Sequence, residues 1–97
     1  YFKDFEWTDV TINYMPCGCG MKPHFDKVNI GDSVLCAFGD YTGGETFIKN
    51  KENADYSAYD ARDKILVFNG AERHHFVSKV MTGTRYSLVF YKQKKNK

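Results

Sequence analysis

The sequence predicts an all-β chain, most simply a jelly roll, and three observations lead there. Apolar and polar residues alternate along most of its length while helical periodicity is scarce. Eight Phe, seven Tyr and one Trp in 97 residues suit the pleated, half-buried surfaces of strands. Turn signals divide the chain into roughly seven or eight short segments. So many short strands without helices imply a sandwich or barrel, and a jelly roll is among the few layouts that fit this length. The chain is expected to be a single core domain, residues 1–97, near the lower limit for burying an adequate core, with no internal repeat and no boundary. It opens on Tyr1 without an initiator Met and is read as a fragment of something longer.

The segments follow in order. WTDVTINY, from Trp7 to Tyr14, alternates as a first strand, and a loop rich in Pro, Gly and Cys runs on to Lys22. PHFDKV begins a second strand, and SVLCAFGDY forms a third with Val34, Cys36 and Phe38 on one face. In YTGGE the chain turns, because Gly43 and Gly44 accept the positive φ of tight turns. ETFIKN returns as a strand. Residues 49–63 are polar and read as a connecting loop with a short strand around Tyr56. KILVFNG is an apolar β-run closed by an Asn-Gly turn, and HHFVSKVMTGTRYSLVFYK supplies two last strands separated by a turn at Thr82 to Thr84.

A formal net charge of +2 is too small to argue for a nucleic-acid partner by itself. Lys92, Lys94, Lys95 and Lys97 do cluster, but a solvated, frayed terminus is the simpler reading. Three cysteines are an odd number, and Cys17 and Cys19 are too close in sequence to bridge without strain, so a reducing intracellular location, cytoplasmic or nuclear, is expected. A zinc site of Cys17 and Cys19 with His74 and His75 is a weak alternative, because structural zinc sites space their ligands more widely. No apolar run reaches membrane-spanning length and no signal peptide is visible.

Three elements carry chemistry: His24 with Asp26, a histidine after FNG, and Arg85 after a turn. Residues two apart on a strand share a face, so His24 and Asp26 point the same way. Two imidazoles and a carboxylate on one face of an octahedron are the ligand set of non-heme Fe(II) oxygenases, which leaves positions open for cosubstrate and dioxygen. Arg85 has a planar fork that grips a carboxylate through parallel hydrogen bonds.

From about Trp7 to Tyr91 the chain resembles the Fe(II)/2-oxoglutarate-dependent dioxygenases, whose core is a double-stranded β-helix. The resemblance rests on HFD at 24–26, GDYTGGE at 39–45, and HHFVSKVMTGTR at 74–85 followed by Tyr86, Ser87 and Leu88. It implies that His24, Asp26 and a distal histidine bind Fe(II). His75 fits that role better than His74, because Arg85 lies ten residues after it and because His75 and Val77 then share the inward face. It implies further that Arg85 and Ser87 hold the far carboxylate of 2-oxoglutarate while Tyr86 and Leu88 pack the other way. Tyr14 either hydrogen-bonds the cosubstrate or is an ordinary core tyrosine. Asn29 either ties the metal loop, as in the subgroup that oxidises 5-methylpyrimidines, or simply forms a turn before Gly31.

The implied reaction hydroxylates a C–H bond with dioxygen as co-reactant, and it is compatible with ascorbate. Substrate choice stays open among nucleic acid, protein and small molecule, with a slight lean to a 5-methylpyrimidine in nucleic acid. A protein prolyl or lysyl hydroxylase is the nearest competitor, and a non-catalytic jelly-roll binding module is the alternative from another class. The sequence carries no signal of oligomeric state.

Overall fold

The computed structural model describes residues 6–93. Lys94, Lys95 and Lys97 of the basic cluster lie outside them. Among the described residues there are nine strands and no helix: β1 Asp9–Pro16, β2 Met21–His24, β3 Asn29–Phe38, β4 Tyr41–Gly43, β5 Thr46–Lys49, β6 Tyr56–Tyr59, β7 Leu66–Phe68, β8 His75–Val77 and β9 Val80–Gln93. None of these residues forms a helix long and apolar enough to cross a membrane, which says nothing of strand-built barrels.

The strands form two antiparallel sheets. One runs β1-β9-β3-β7, with β4 also paired to β9, and the other runs β2-β8-β5-β6. The fold is thus an all-β double-stranded β-helix. Strand β9 organises the first sheet, because its fourteen residues pair with β1 along one edge and with β3 and β4 along the other. Its register sets Met15 opposite Arg85, Asn13 opposite Ser87 and Thr11 opposite Val89, and period-two alternation turns these six side chains toward the second sheet.

Two apolar clusters fill the space between the sheets. Leu35, Ala37, Ile48, Ala61 and Phe68 form one, and Met15, Tyr41, Val77 and Val80 form the other. A large apolar side chain contributes about 1.5–3 kcal/mol when fully buried. Between the clusters lie buried polar residues, Thr46, His75, Arg85 and Ser87. That polar seam is the candidate site.

Several segments differ from the sequence expectation, each for a local reason. Strand β2 ends at His24, so Asp26 sits in the turn that leads to β3, closed by the Asn29 amide donating to the Asp26 carbonyl at 3.1 Å. The turn expected at Thr82 to Thr84 is absent. Residues 78 and 79 make the connection instead, pinned where the Ser78 amide donates to the Glu45 carbonyl and the Gly44 amide to the Lys79 carbonyl. Gly83 keeps a positive φ of 73° within the continuous strand, beside an irregularity in the pairing of β4 with β9. Val34, Cys36 and Phe38 share a face as the alternation requires, with Val34 buried and with Cys36 and Phe38 bordering a groove beside Trp7, Ile65, Leu88 and Phe90.

Gly83 has no room for a side chain, since a Cβ there would overlap the Asp40 carbonyl oxygen, whereas Gly18, also at positive φ, has open space around it. Gly83→Ala is therefore expected to cost about 2–3 kcal/mol in urea unfolding, and Gly18→Ala only about 1. Equal costs at the two positions would mean that the β4–β9 approach adds nothing to the conformational penalty.

Candidate metal and cosubstrate site

His24 reaches the cavity through an irregularity. Strand β2 pairs Met21 with Val77 and His24 with His75, a register that shifts by one residue between the two pairs. Regular alternation would turn Met21 and Pro23 inward and His24 outward. The extra residue lets both Met21 and His24 line the cavity. Pro23 falls within this stretch, and its missing N–H removes one ladder bond that would resist the shift.

Asp26 is fixed from the other side. Its amide donates to the Gly70 carbonyl at 2.9 Å, and Gly70 belongs to a turn organised by Asn69, whose side-chain oxygen accepts from the Ala71 and Glu72 amides. A Cβ on Gly70 would collide with the Asp26 carboxylate and meet His75 Cε1 at 3.3 Å, so glycine is what allows this approach.

The three side chains converge. His24 Nε2 lies 3.4 Å from Asp26 Oδ1, His75 Nε2 lies 3.2 Å from Asp26 Oδ2, and a ligand atom from each residue fits within a 4.8 Å cluster. Both imidazoles are oriented alike. The Nδ1 of His24 donates to the Lys22 carbonyl at 2.7 Å and that of His75 to the Arg73 carbonyl at 2.8 Å. A carbonyl only accepts, so the Nδ1 atoms carry the hydrogens, and each neutral ring turns the Nε2 lone pair toward a carboxylate oxygen. Lone pairs facing lone pairs repel unless a positive charge lies between them. One divalent cation satisfies all three groups at once, with the carbonyls as outer partners that set ring orientation. Burial pushes the His75 imidazole toward lower pKa, but a protonated ring would donate Nε2–H to Asp26, and that bond, the Arg73 carbonyl and the Asp26 charge outweigh burial and raise it. The cluster attracts cations, protons included.

Arg85 lies in the same cavity, of about 320 Å³, and is 1% exposed. Its Nη1 donates to Ser87 Oγ and Met15 Sδ, both at 3.3 Å, and its Nη2 to Thr46 Oγ1 at 3.4 Å. Ser87 Oγ also accepts from Asn13 Nδ2 at 3.2 Å. All of these partners are neutral, and burial lowers the Arg85 pKa. Among the described residues no carboxylate forms an ion pair with it. Its Nε and the buried Tyr41 hydroxyl have no hydrogen-bond partner among the described residues. A guanidinium so enclosed costs several kcal/mol without a counter-charge, and a dicarboxylate ligand fits that need.

The structure thus brings His24, Asp26, His75, Arg85 and Ser87 to one cavity. His74 points away from it, its Nδ1 at 2.6 Å from the Tyr56 hydroxyl. Tyr14 lies outside both the cavity lining and the core: it is 65% exposed on the outer face, beside Tyr86. Asn13, one residue earlier, faces the cavity in its place. Asn29 lines the cavity and donates to Ser33 Oγ at 3.3 Å, in addition to closing its turn. Cys17 and Cys19 are exposed and take no part in any metal grouping among the described residues; Cys17 Sγ donates to the Met81 carbonyl at 3.1 Å. Nothing in the local pattern marks Thr46 and Asn13 as cavity residues, and the Asn69-Gly70 pair signals a turn without signalling its contact with Asp26.

The fold and site define a double-stranded β-helix with a two-histidine, one-carboxylate candidate cation site and a buried arginine beside it. No family model matches the chain. It is 29% identical over 76 residues to Tet-like dioxygenase 1 of Naegleria gruberi, a match covering 78% of this chain and 23% of that protein. Among solved structures it is similar to a 2OG-Fe(II) oxygenase family oxidoreductase from Burkholderia pseudomallei (TM-score 0.76, 24% identity, 90% of this chain and 42% of that one). It is likewise similar to NgTET1 in complex with 5mC DNA (TM-score 0.72, 25% identity, 88% and 33%) and to a Pseudomonas putida prolyl-4-hydroxylase (TM-score 0.74, 16% identity, 95% and 55%). The resemblance to the Fe(II)/2-oxoglutarate-dependent oxygenase superfamily therefore holds in both sequence and fold, while the chain spans about a quarter of the length of that curated relative.

Because Gly70 permits the Asp26 approach, Gly70→Ala is expected to weaken Co(II) binding about 10- to 100-fold, read from the visible absorption of the bound ion. Unchanged affinity would show that the turn can move aside.

Proposed function

We propose that the chain is the catalytic core of an Fe(II)- and 2-oxoglutarate-dependent dioxygenase that hydroxylates a C–H bond. The observation that carries this reading is Arg85, an enclosed cation without a carboxylate partner in the cavity that also holds the His24, Asp26 and His75 cluster. A dicarboxylate chelated at one end by a metal and gripped at the other by a guanidinium answers both demands.

His24 Nε2, His75 Nε2 and an Asp26 oxygen would hold Fe(II), and three protein ligands leave the remaining positions open. The bound metal, with 2-oxoglutarate and dioxygen, supplies the oxidation, the cosubstrate leaving as succinate and carbon dioxide. Arg85 binds the far carboxylate with its fork, and the Ser87 and Thr46 hydroxyls hold that fork and add polar contacts. Leu35, Phe68, Val77 and Val89 line the walls and exclude water, so the ionic contacts act in a low dielectric. Three free cysteines fit an intracellular, reducing location.

For the substrate, we favour a 5-methylpyrimidine in nucleic acid, supported by the likeness to a Tet-like dioxygenase and to NgTET1 in complex with 5mC DNA. Hydroxylation of a protein side chain is the second reading, supported by the likeness in fold to a prolyl-4-hydroxylase.

Asp26→Ala is expected to abolish Fe(II)-dependent succinate release in the full-length protein, and undiminished turnover refutes the ligand assignment. Arg85→Ala is expected to raise the 2-oxoglutarate concentration for half-maximal rate on the order of 100-fold, because a desolvated carboxylate loses its charged partner. Coupled succinate release with a 5-methylcytosine oligonucleotide and with a proline-rich peptide separates the two substrate readings. Failure of 2-oxoglutarate to bind the metal-loaded protein would favour a non-catalytic module.

A further inference from the structure

Two orphaned polar atoms lie behind the cavity floor, the Tyr41 hydroxyl and the Arg85 Nε. Tyr41 is 2% exposed and packs among Met15, Val77 and Val80, outside the cavity lining. The two side chains are nonetheless neighbours. A Cβ placed on Gly44 would meet Arg85 Cδ at 2.9 Å and Tyr41 Cε1 at 3.4 Å, so the arginine stem and the hydroxyl-bearing end of the ring close on the same point. The phenol also favours the charged form of Arg85, although it lies outside hydrogen-bond geometry.

The ring itself is clamped from its far side. The Arg62 guanidinium carbon sits 4.4 Å from the Tyr41 ring centroid, Arg62 Nη1 donates to the Tyr41 carbonyl at 2.6 Å, and Asp60 pairs with Arg62 Nη2 at 3.4 Å. A cation over the ring face holds a phenol in place at little cost. What remains open on Tyr41 is its oxygen, and what remains open on Arg85 is the Nε–H together with the second N–H of Nη2.

We propose that Tyr41 is a positioning residue for cosubstrate binding: its hydroxyl oxygen takes the Arg85 Nε–H when the far carboxylate of the cosubstrate engages the rest of the guanidinium. This inference rests on the cosubstrate role given to Arg85 above. The chemistry favours a neutral oxygen here. A carboxylate behind Arg85 would neutralise it and compete with the incoming dicarboxylate, whereas a phenol fixes the fork and leaves its charge available. Gly44 is part of the device, since any Cβ there would press on both side chains.

The test uses the full-length protein loaded with Zn(II), so that binding is read without turnover. Calorimetry compares 2-oxoglutarate with 2-oxobutyrate, a 2-oxo acid with the same chelating head but no far carboxylate. Tyr41→Phe keeps the ring, its packing and its contact with Arg62 while removing the hydroxyl. The expected result is a rise in Kd for 2-oxoglutarate on the order of tenfold, with 2-oxobutyrate unchanged. With Fe(II) bound, KM for 2-oxoglutarate should rise more than kcat falls. Equal weakening of both ligands would reveal a packing defect and overturn the proposal, as would no change in either. Arg85→Gln separates this failure from that of the underlying reading. A selective loss of 2-oxoglutarate in Arg85→Gln with none in Tyr41→Phe sinks Tyr41 alone, while no loss in either sinks the cosubstrate assignment itself.

Discussion

The burial of one positive charge organises the inner face of this protein. Arg85 is almost wholly withdrawn from water, and its immediate partners are two hydroxyls and a thioether. Burial of a large apolar side chain contributes about 1.5–3 kcal/mol, so more than one such contact is needed to offset a guanidinium held without a counter-ion. Apolar clusters on either side supply that, and the polar seam between them is tolerated because the sheets around it are well packed. An enclosed guanidinium whose protein partners are all neutral is prepared to bind an anion.

The two sheets divide the work. Strands β2 and β8 bring the imidazoles, β9 brings the guanidinium and Ser87, and the carboxylate comes from the turn that leads from β2 to β3. No single sheet holds the whole site, so its geometry depends on how the sheets face each other. Within that frame the decisive local features are small: a one-residue register shift in β2, a glycine under Asp26 and two backbone carbonyls that orient the histidines.

Much of this is legible in the sequence where simple alternation holds. Arg85 and Ser87 share a face with Val89, and His75 shares one with Val77, as period two requires. The same rule misleads at β1, because Val10, Ile12 and Tyr14 look like the buried set yet face outward, while Thr11 and Asn13 line the cavity. A chamber that takes polar side chains from one strand inverts the usual pattern there, and Tyr14 falls on the outer side for that reason. His24 and Asp26 do converge, but through a pairing shift and a turn, which are properties of partner strands rather than of HFD itself. Gly83 looks like a turn residue; pairing with β4 absorbs its positive φ inside a continuous strand.

The dependence of one sheet on β9 bears on how the protein is made. Every hydrogen-bonded partner of that strand, β1, β3 and β4, precedes it in the chain. A ribosome delivers them first, and they emerge with their mutual neighbour still untranslated. The sheet cannot close segment by segment as it leaves the exit tunnel, so the nascent polypeptide carries open strand edges until residue 93 is free, the interval in which chaperones have most to protect.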